Sequence, residues 1–414
     1  MRPVDLSLRV GVRLVVLACV AASAPAAPSG GLQAPAASPT QKDASPGVRS
    51  EPADPALARL AKAADEARAA GRLEEAVRLY REGLQADPSW TEGRWALGAT
   101  LYALERFDEA RSAFQEVVTS APSHGISWAF KGLCEFELRD YEQALADLQR
   151  ADALGVPHKE IAPVAAYHQA ILLTRYEQFE RSFEKLAEVT RAGYDSPSLI
   201  EALGLAGLRL PYLPSELGPE KREMVLMAGR AVNHWANNRR TAARRGFEEL
   251  LLRYPEQRHV HYTFGVFLLA EEQDAAIDQF ERELRLSPFH VEAMLQIAVE
   301  KNLRAENDAA RPLAEKAVEL APTLPAARNV LGRVLLELGE TDRAIRELEE
   351  GIALAPNHRQ MHFELARAYA RAGRKEDAER ERAIFTKLEA AERERTRDRT
   401  FGKPDLERQA EPRE

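Results

Sequence analysis

The stretch TEGRWALGATLYALERFDEARSAFQEVVTSAPSH, from Thr91 to His124, decides how the chain folds. Two apolar-periodic runs, WALGATLYAL and EARSAFQEVV, flank a short polar break at Arg106–Phe107–Asp108, and Pro122 stops the second run. Each run is long enough for about three helical turns, so the stretch predicts a helix hairpin. Gly98 on the first helix and Ala110 on the second let two backbones approach closely, and Phe114 fills the space beside them.

The unit recurs. Prolines that close a second helix fall at Pro88, Pro122 and Pro157, then at Pro255, Pro288, Pro322 and Pro356, with spacings of 34 and 35, then 33, 34 and 34. Self-similarity at that period marks a helical-repeat solenoid. The pattern of Trp-x-x-x-Gly, an inner Ala, an aromatic four residues on and a closing Pro resembles the tetratricopeptide repeat family. Trp128 and Gly132 with Ala144 carry it, as do Gly98, Ala110, Phe114 and Pro122; Gly265, Ala276, Phe280 and Pro288; and Gly332, Ala344 and Pro356. Several repeats lack the first Trp, and Arg94 stands in its place in the Thr91 unit. The resemblance implies an all-α fold, a right-handed superhelical solenoid of about nine tetratricopeptide-like hairpins, with no β structure between Pro55 and Glu394.

Bulk composition agrees. Of 414 residues, 45% are hydrophobic, only 7% aromatic and 29% charged, the profile of an all-helical chain. A net charge of −8 with mixed signs gives no case for a nucleic-acid partner. Met1–Arg13 carries three arginines and one aspartate, Leu14–Ala24 is apolar, and Ala24–Pro25–Ala26 offers small residues for cleavage. Residues 1–26 therefore read as a secretory signal peptide, too short to span a membrane, and the protein is expected to be exported, periplasmic or secreted. Val16–Leu17–Ala18–Cys19 also loosely resembles a lipoprotein signal, so a membrane enters only if Cys19 is lipidated. With the signal removed, Cys134 is the one thiol left and no internal disulfide is possible. Its setting between Leu133 and Phe136 reads as a buried, inert thiol.

Residues 27–54 form a linker in which Pro, Ala, Ser and Gly leave no helical period, and disorder is expected. An N-terminal array follows at 55–197. At 198–222 the phase breaks: an unpaired first-type helix is followed by a Pro-rich insertion with Pro211, Pro214 and Pro219. Parity then predicts that Pro211–Gly218 runs back along the helices as an extended strap in place of a missing one. A C-terminal array with a long, polar capping helix occupies 223–394, and 395–414 is a charged tail expected to be disordered.

No catalytic constellation emerges. There is no GxSxG elbow, GxxxxGK phosphate loop or paired CxxC, so the expectation is a non-enzyme without cofactor or metal. His358 with His362, and His259 with His261, are each close in sequence, but no third ligand lies near either pair. Arg239, Arg240, Arg244 and Arg245 place four cations within seven residues, either an exposed hinge and helix start or a contact for an acidic partner.

The array offers a surface instead. Because first helices line the inner face of tetratricopeptide-like arrays, the i, i+4, i+7 spacing on them selects Trp95 with Ala99 and Tyr102; Leu133 with Phe136; Tyr167 with Ile171; Trp235; and Tyr262. In the last repeats the row turns polar, with Asn302, Asn329, Arg333 and Arg367. Either these rings pack between neighbouring helices, or they stay open as a groove that docks an extended or helical segment of another protein. The family's Lys/Asn carboxylate clamp is not matched at these positions, although Arg333 and Arg367 can hold one carboxylate. The expected function is a non-catalytic protein–protein interaction scaffold; the alternatives are a lipid-anchored envelope assembly component and a metal-binding protein or enzyme using His259 and His261 or His358 and His362.

Overall fold

A computed structural model describes residues 54–401. Among these it contains nineteen α-helices and no strand. The signal, Cys19, nearly all of the linker and the end of the charged tail lie outside the described residues. The chain divides into two compact units at Leu250.

In the first unit, α1 (Pro55–Ala69) pairs with α2 (Leu73–Ala86), α3 (Thr91–Ala103) with α4 (Phe107–Ser120), α5 (Gly125–Glu137) with α6 (Tyr141–Leu154), and α7 (Ile161–Arg175) with α8 (Phe179–Arg191). The break in the Thr91 unit sits at Leu104–Arg106, two residues earlier than the polarity suggests, and Phe107 begins α4. Phe107 is drawn into the helix because its ring packs edge-on against Tyr102, 5.4 Å between centroids.

Where two helices of a hairpin cross, one residue is methyl-sized. Ala76, Ala110 and Ala144 are fully buried at this position. In α8 the position is Ser182, whose hydroxyl donates to the Ala170 carbonyl at 2.8 Å and bonds the Thr174 hydroxyl at 2.7 Å, so its extra polar atom is satisfied inside the core. The facing glycines are as tightly held. A methyl on Gly98 would meet the Phe114 ring at 3.0 Å, and one on Gly132 would meet Leu148 at 2.8 Å and the Ala144 carbonyl at 3.1 Å.

The phase break resolves differently from the parity argument. Helix α9 (Pro197–Gly207) is not unpaired: α10 (Pro219–Ala236) runs antiparallel against it, and α11 (Arg240–Arg253) packs on α10 through Gly246 and Ala231. One 18-residue helix thus serves as second helix to α9 and first helix to α11. The Pro-rich connection is no strap. It turns back within residues 208–218 through a short 3-10 turn at Pro214–Glu216. Leu213 and Leu217 are buried there, while Glu216 accepts from the Leu213 N–H at 2.9 Å and pairs with Arg175. Apolar anchors at both ends of the turn favour folding it onto the helix end over extending it along the array. The α9–α10 contact is the closest in the unit: a methyl on Gly204 would clash with the Val225 carbonyl, and one on Gly229 with that of Ile200.

The second unit holds α12 (Val260–Leu268) with α13 (Gln273–Leu286), α14 (Val291–Leu303) with α15 (Asn307–Leu320), α16 (Pro325–Glu337) with α17 (Thr341–Leu354), and α18 (Arg359–Arg371) with α19 (Lys375–Phe401). Ala276, Ala310, Ala344 and Ala378 are its crossing residues, all buried. The last helix continues to Phe401, seven residues into the expected tail, because nothing between Glu394 and Phe401 breaks a helix. The terminal pair is less polar than a cap requires: Phe363 and Ile384 stay exposed, and Phe363 rests on Phe385.

Two devices close the turns. Between the helices of a hairpin, Gly71, Glu105, Arg139, Ala305, Gly339 and Gly373 adopt left-handed backbone, 34 residues apart within each unit. After five of the hairpins, the carbonyl of the closing proline receives a donor from six residues on: Arg94 to Pro88 (2.6 Å), Trp128 to Pro122 (2.9 Å), His261 to Pro255 (3.3 Å), Arg328 to Pro322 (3.0 Å) and His362 to Pro356 (2.8 Å). Trp is therefore replaceable wherever Arg or His brings an N–H to the same carbonyl.

Replacing Gly229 with Ala opposes backbone to backbone and should cost about 3 kcal/mol or more, whereas Gly98→Ala presses only on a ring edge and should cost about 1 kcal/mol. Urea unfolding of the two variants against the parent measures the difference; equal costs would contradict the packing described.

Candidate functional site

Within each unit the first helices touch first helices of neighbouring hairpins, α3 with α5, α5 with α7, and α7 with α9 in the first unit; α14 with α16 and α16 with α18 in the second. Side chains on that row are consumed by these contacts to very different degrees. Tyr102, Tyr167, Ile171 and Tyr262 are buried. Tyr102 lies edge-on to Phe130 at 5.5 Å, Tyr167 sits against His168 at 5.3 Å, and Tyr262 packs on Phe280 at 5.8 Å and His290 at 4.6 Å. Trp95, Phe136 and Trp235 remain partly exposed. Trp95 leans on Phe130, Phe136 stands perpendicular to His168 at 4.7 Å, and Trp235 meets Phe183 at 4.8 Å. In neither unit, then, does the row stay wholly open; three of its six rings, Tyr102, Tyr167 and Tyr262, are buried against their neighbours.

Two polar atoms on this row stand out. The Trp95 indole Nε1 and the Asn329 carboxamide oxygen are shielded from water and have no hydrogen-bond partner, although both side chains reach the surface in part. Native interiors rarely leave such atoms unsatisfied.

In the second unit the row is a charged ladder. Arg333 donates to the Asn302 carboxamide at 3.3 Å and lies 3.7 Å from Glu364. Arg367 bonds Glu364 and Glu337, each at 2.6 Å. The two arginines expected to share a partner's carboxylate already share the protein's own, that of Glu364. The Arg367 hydrogen bond also holds the Glu337 carboxyl below the usual carboxylate range.

Other charged features stay apart from this row. Arg245, with Arg230 and His234, borders a depression of about 280 Å³ between α10 and α11, with Glu249 also in its lining. A larger one of about 600 Å³ on α2 is lined by Glu74, Arg78, Arg81, Glu82 and Arg106, whose opposite charges pair locally. The paired histidines of the sequence separate. His261 bonds Gln279 at 2.7 Å, and His362 bonds Glu381 at 2.6 Å, each closing its turn. His358 accepts from the Met361 N–H at 3.3 Å. Burial pushes the Cys134 thiol well up, which leaves it protonated and inert.

A buried triad joins α5 to α6: Lys131 bonds Glu135 at 2.6 Å and also bonds Asp147. Sequence reading missed it, since Lys131 follows Phe130 in an otherwise apolar run. Burial, opposed by the Lys131 hydrogen bond and reinforced by Asp147, pushes the Glu135 carboxyl up to about 7.

These features define a helical-repeat solenoid, without a nucleophile–base pair or phosphate cradle among the described residues. The chain belongs to the tetratricopeptide repeat family: that family's model matches residues 61–123, 95–155, 229–291, 304–355 and 329–381, more than half of the sequence. Membership supports a protein–protein interaction scaffold in general. Solved structures similar to it include MamA 41-end from Desulfovibrio magneticus RS-1, 19% identical over 41% of this chain and 96% of that one, with a TM-score of 0.38. MamA AMB-1 is 24% identical over 41% of this chain and 92% of that one, with a TM-score of 0.35. Comparison with curated proteins gives no match. No helix among the described residues is long and apolar enough to cross a membrane.

A carboxyl raised on folding favours the native state at low pH and loses that contribution as pH rises through its folded value. Glu135→Gln should therefore gain stability over the parent between about pH 5.5 and about pH 8.5. Denaturation midpoints at the two pH values test this; a pH-independent difference would refute it.

Proposed function

We propose that this protein is a non-catalytic scaffold that holds a segment of another protein on the first-helix face of its hairpins. The observation that carries the reading is the pair of unsatisfied atoms on that face, the Trp95 N–H donor in one unit and the Asn329 oxygen acceptor in the other. On either unit by itself an extended segment supplies the complement from its own main chain at any sequence, an acceptor C=O for Trp95 or a donor N–H for Asn329. The partly exposed Trp95, Phe136 and Trp235 add apolar contact in the first unit, and the Asn302–Arg333–Arg367 ladder adds polar contact in the second. Because Arg333 and Arg367 are already bonded within the protein, a partner's carboxylate has to compete with Glu364 and Glu337.

A photo-crosslinker at Phe136 and, separately, at Arg333 should capture a protein in cells, while one at Glu319 on a second helix should not. Asn329→Ala should weaken binding of the captured protein by about tenfold, the value of one buried hydrogen bond. Capture at Glu319 equal to that at Phe136 and Arg333 would remove the reading.

We also propose export, resting on the apolar Leu14–Ala24 run and the small residues after it. The mature N-terminus should begin near Ala27, and mass spectrometry of the purified chain decides it. A chain retaining Met1 would refute export by cleavage, and a mature chain starting at a lipid-modified Cys19 would make the protein a membrane-anchored component instead.

A further inference from the structure

His259, Glu283 and His290 come from three separate places in the second unit. His259 ends the turn before α12, Glu283 lies on α13, and His290 caps α14. The fold brings one ligand-type atom of each to within 4.8 Å of the other two.

Glu283 is fully buried. Both of its oxygens accept the His259 backbone N–H, each at 2.9 Å, and one also faces that of Tyr262 at 3.3 Å. These donors and the positive end of α12 explain why a carboxylate tolerates burial here. They occupy only part of its roughly four lone-pair sites. Helix capping does not explain the imidazoles. His290 has a side-chain exposure of 2%, and its Nε2 has no hydrogen-bond partner. Its Nδ1 lies 3.3 Å from the Ala293 N–H and 3.3 Å from the Glu292 carboxylate. Nδ1 accepts from the Ala293 N–H, which leaves the ring proton on the unpartnered Nε2; an ion bound at Nε2 would move that proton to Nδ1, where the Glu292 carboxylate can accept it, the kind of contact that orients metal-bound histidines. His259 stands beside it, ring centroids 5.1 Å apart, with its Nδ1 3.9 Å from Glu283. Its backbone is left-handed, φ +72°, as at several other turns among the described residues. Glu283 holds the backbone of the residue whose ring then faces it.

We propose that His259, Glu283 and His290 bind one divalent transition-metal ion, with Zn²⁺ the chemistry they fit best. Two imidazole nitrogens and one carboxylate oxygen are a zinc donor set that leaves a fourth position for water. Bonds of about 2.0–2.1 Å place tetrahedral donors about 3.3 Å apart, so binding draws these side chains together by about 1.5 Å. The ion would tie the entry of α12, the middle of the hairpin and the start of α14 into one cluster, so occupancy stabilises the second unit.

The test uses the full chain, stripped with a chelator and titrated with Zn²⁺, followed by calorimetry and by the thermal midpoint. One equivalent should bind and the midpoint should rise with Zn²⁺. His290→Gln and His259→Asn should each weaken binding by about tenfold or more, while His261→Gln, outside the cluster, should leave it unchanged. Asparagine tolerates the left-handed backbone at 259, so that variant stays informative if His290→Gln does not fold; circular dichroism establishes which variants are folded. Absence of stoichiometric binding overturns the proposal. So does a folded His259→Asn that binds as tightly as the parent, or a loss in His261→Gln that matches the loss in His259→Asn.

Discussion

A methyl group is the largest side chain that fits where the helices of each hairpin cross. Ala76, Ala110, Ala144, Ala276, Ala310, Ala344 and Ala378 fall at multiples of 34 residues within their units, and each is fully or almost fully buried. Helix axes that close bring ridges and grooves into contact along their whole length, which lets Phe114, Leu148, Phe280 and Leu348 fill the flanks. A larger crossing residue would separate the helices, and every apolar contact on either side would loosen with them. Ser182 meets the same limit by adding one polar atom and satisfying it twice, through Ala170 and Thr174.

That constraint is periodic, which is why the sequence revealed the fold so fully. The closing prolines, the crossing alanines and the facing glycines all repeat with the hairpin, and their phase survives the loss of any single member. The missing tryptophans matter little because the position needs a donor for a proline carbonyl, and Arg94, His261, Arg328 and His362 provide one as Trp128 does. Two hairpins do without it, having Pro163 and Met294 six residues after Pro157 and Pro288. The period failed at one place. Counting helices as strictly first or second made α9 an orphan, and a strap seemed necessary. Nothing in the pattern announced that α10 would serve on both sides, though its length and the glycines at 204, 229 and 246, which let three backbones approach, were in the sequence.

The candidate site was legible only in part. Spacing on the first helices groups these residues on one side of each helix, because helical geometry fixes which side a residue occupies. It did not decide how far each ring is covered, since that depends on the neighbouring hairpin: Tyr102 is closed over by Phe130, while Phe136 keeps an open edge beside His168. The Arg333–Glu364 and Arg367–Glu337 pairs were invisible for the same reason, as they cross between hairpins, whereas Arg367–Glu364 lies within one helix. Proximity in sequence misled for the histidines. His259 and His261 lie on different sides of a turn, and the residues that meet His259 are 24 and 31 positions away.

Repetition creates a problem that these long-range polar contacts address. Helices with the same crossing residue and similar apolar flanks have similar faces, so apolar burial alone distinguishes poorly between the correct partner helix and another. Lys131 between Glu135 and Asp147 occurs in one hairpin only, as does the Ser182–Thr174 bond. Glu283 reaches the His259 backbone at one position. Each of these contacts lies within one hairpin, so a first helix paired with the wrong second helix would leave a group buried without its partner, at a cost of about 3–5 kcal/mol for a charge. That exceeds the gain from most single apolar contacts, about 1.5–3 kcal/mol for a whole side chain. The buried polar groups are therefore poor contributors to net stability and strong contributors to which two helices pair as a hairpin, and the uniform alanine spacing is tolerable because they break its symmetry.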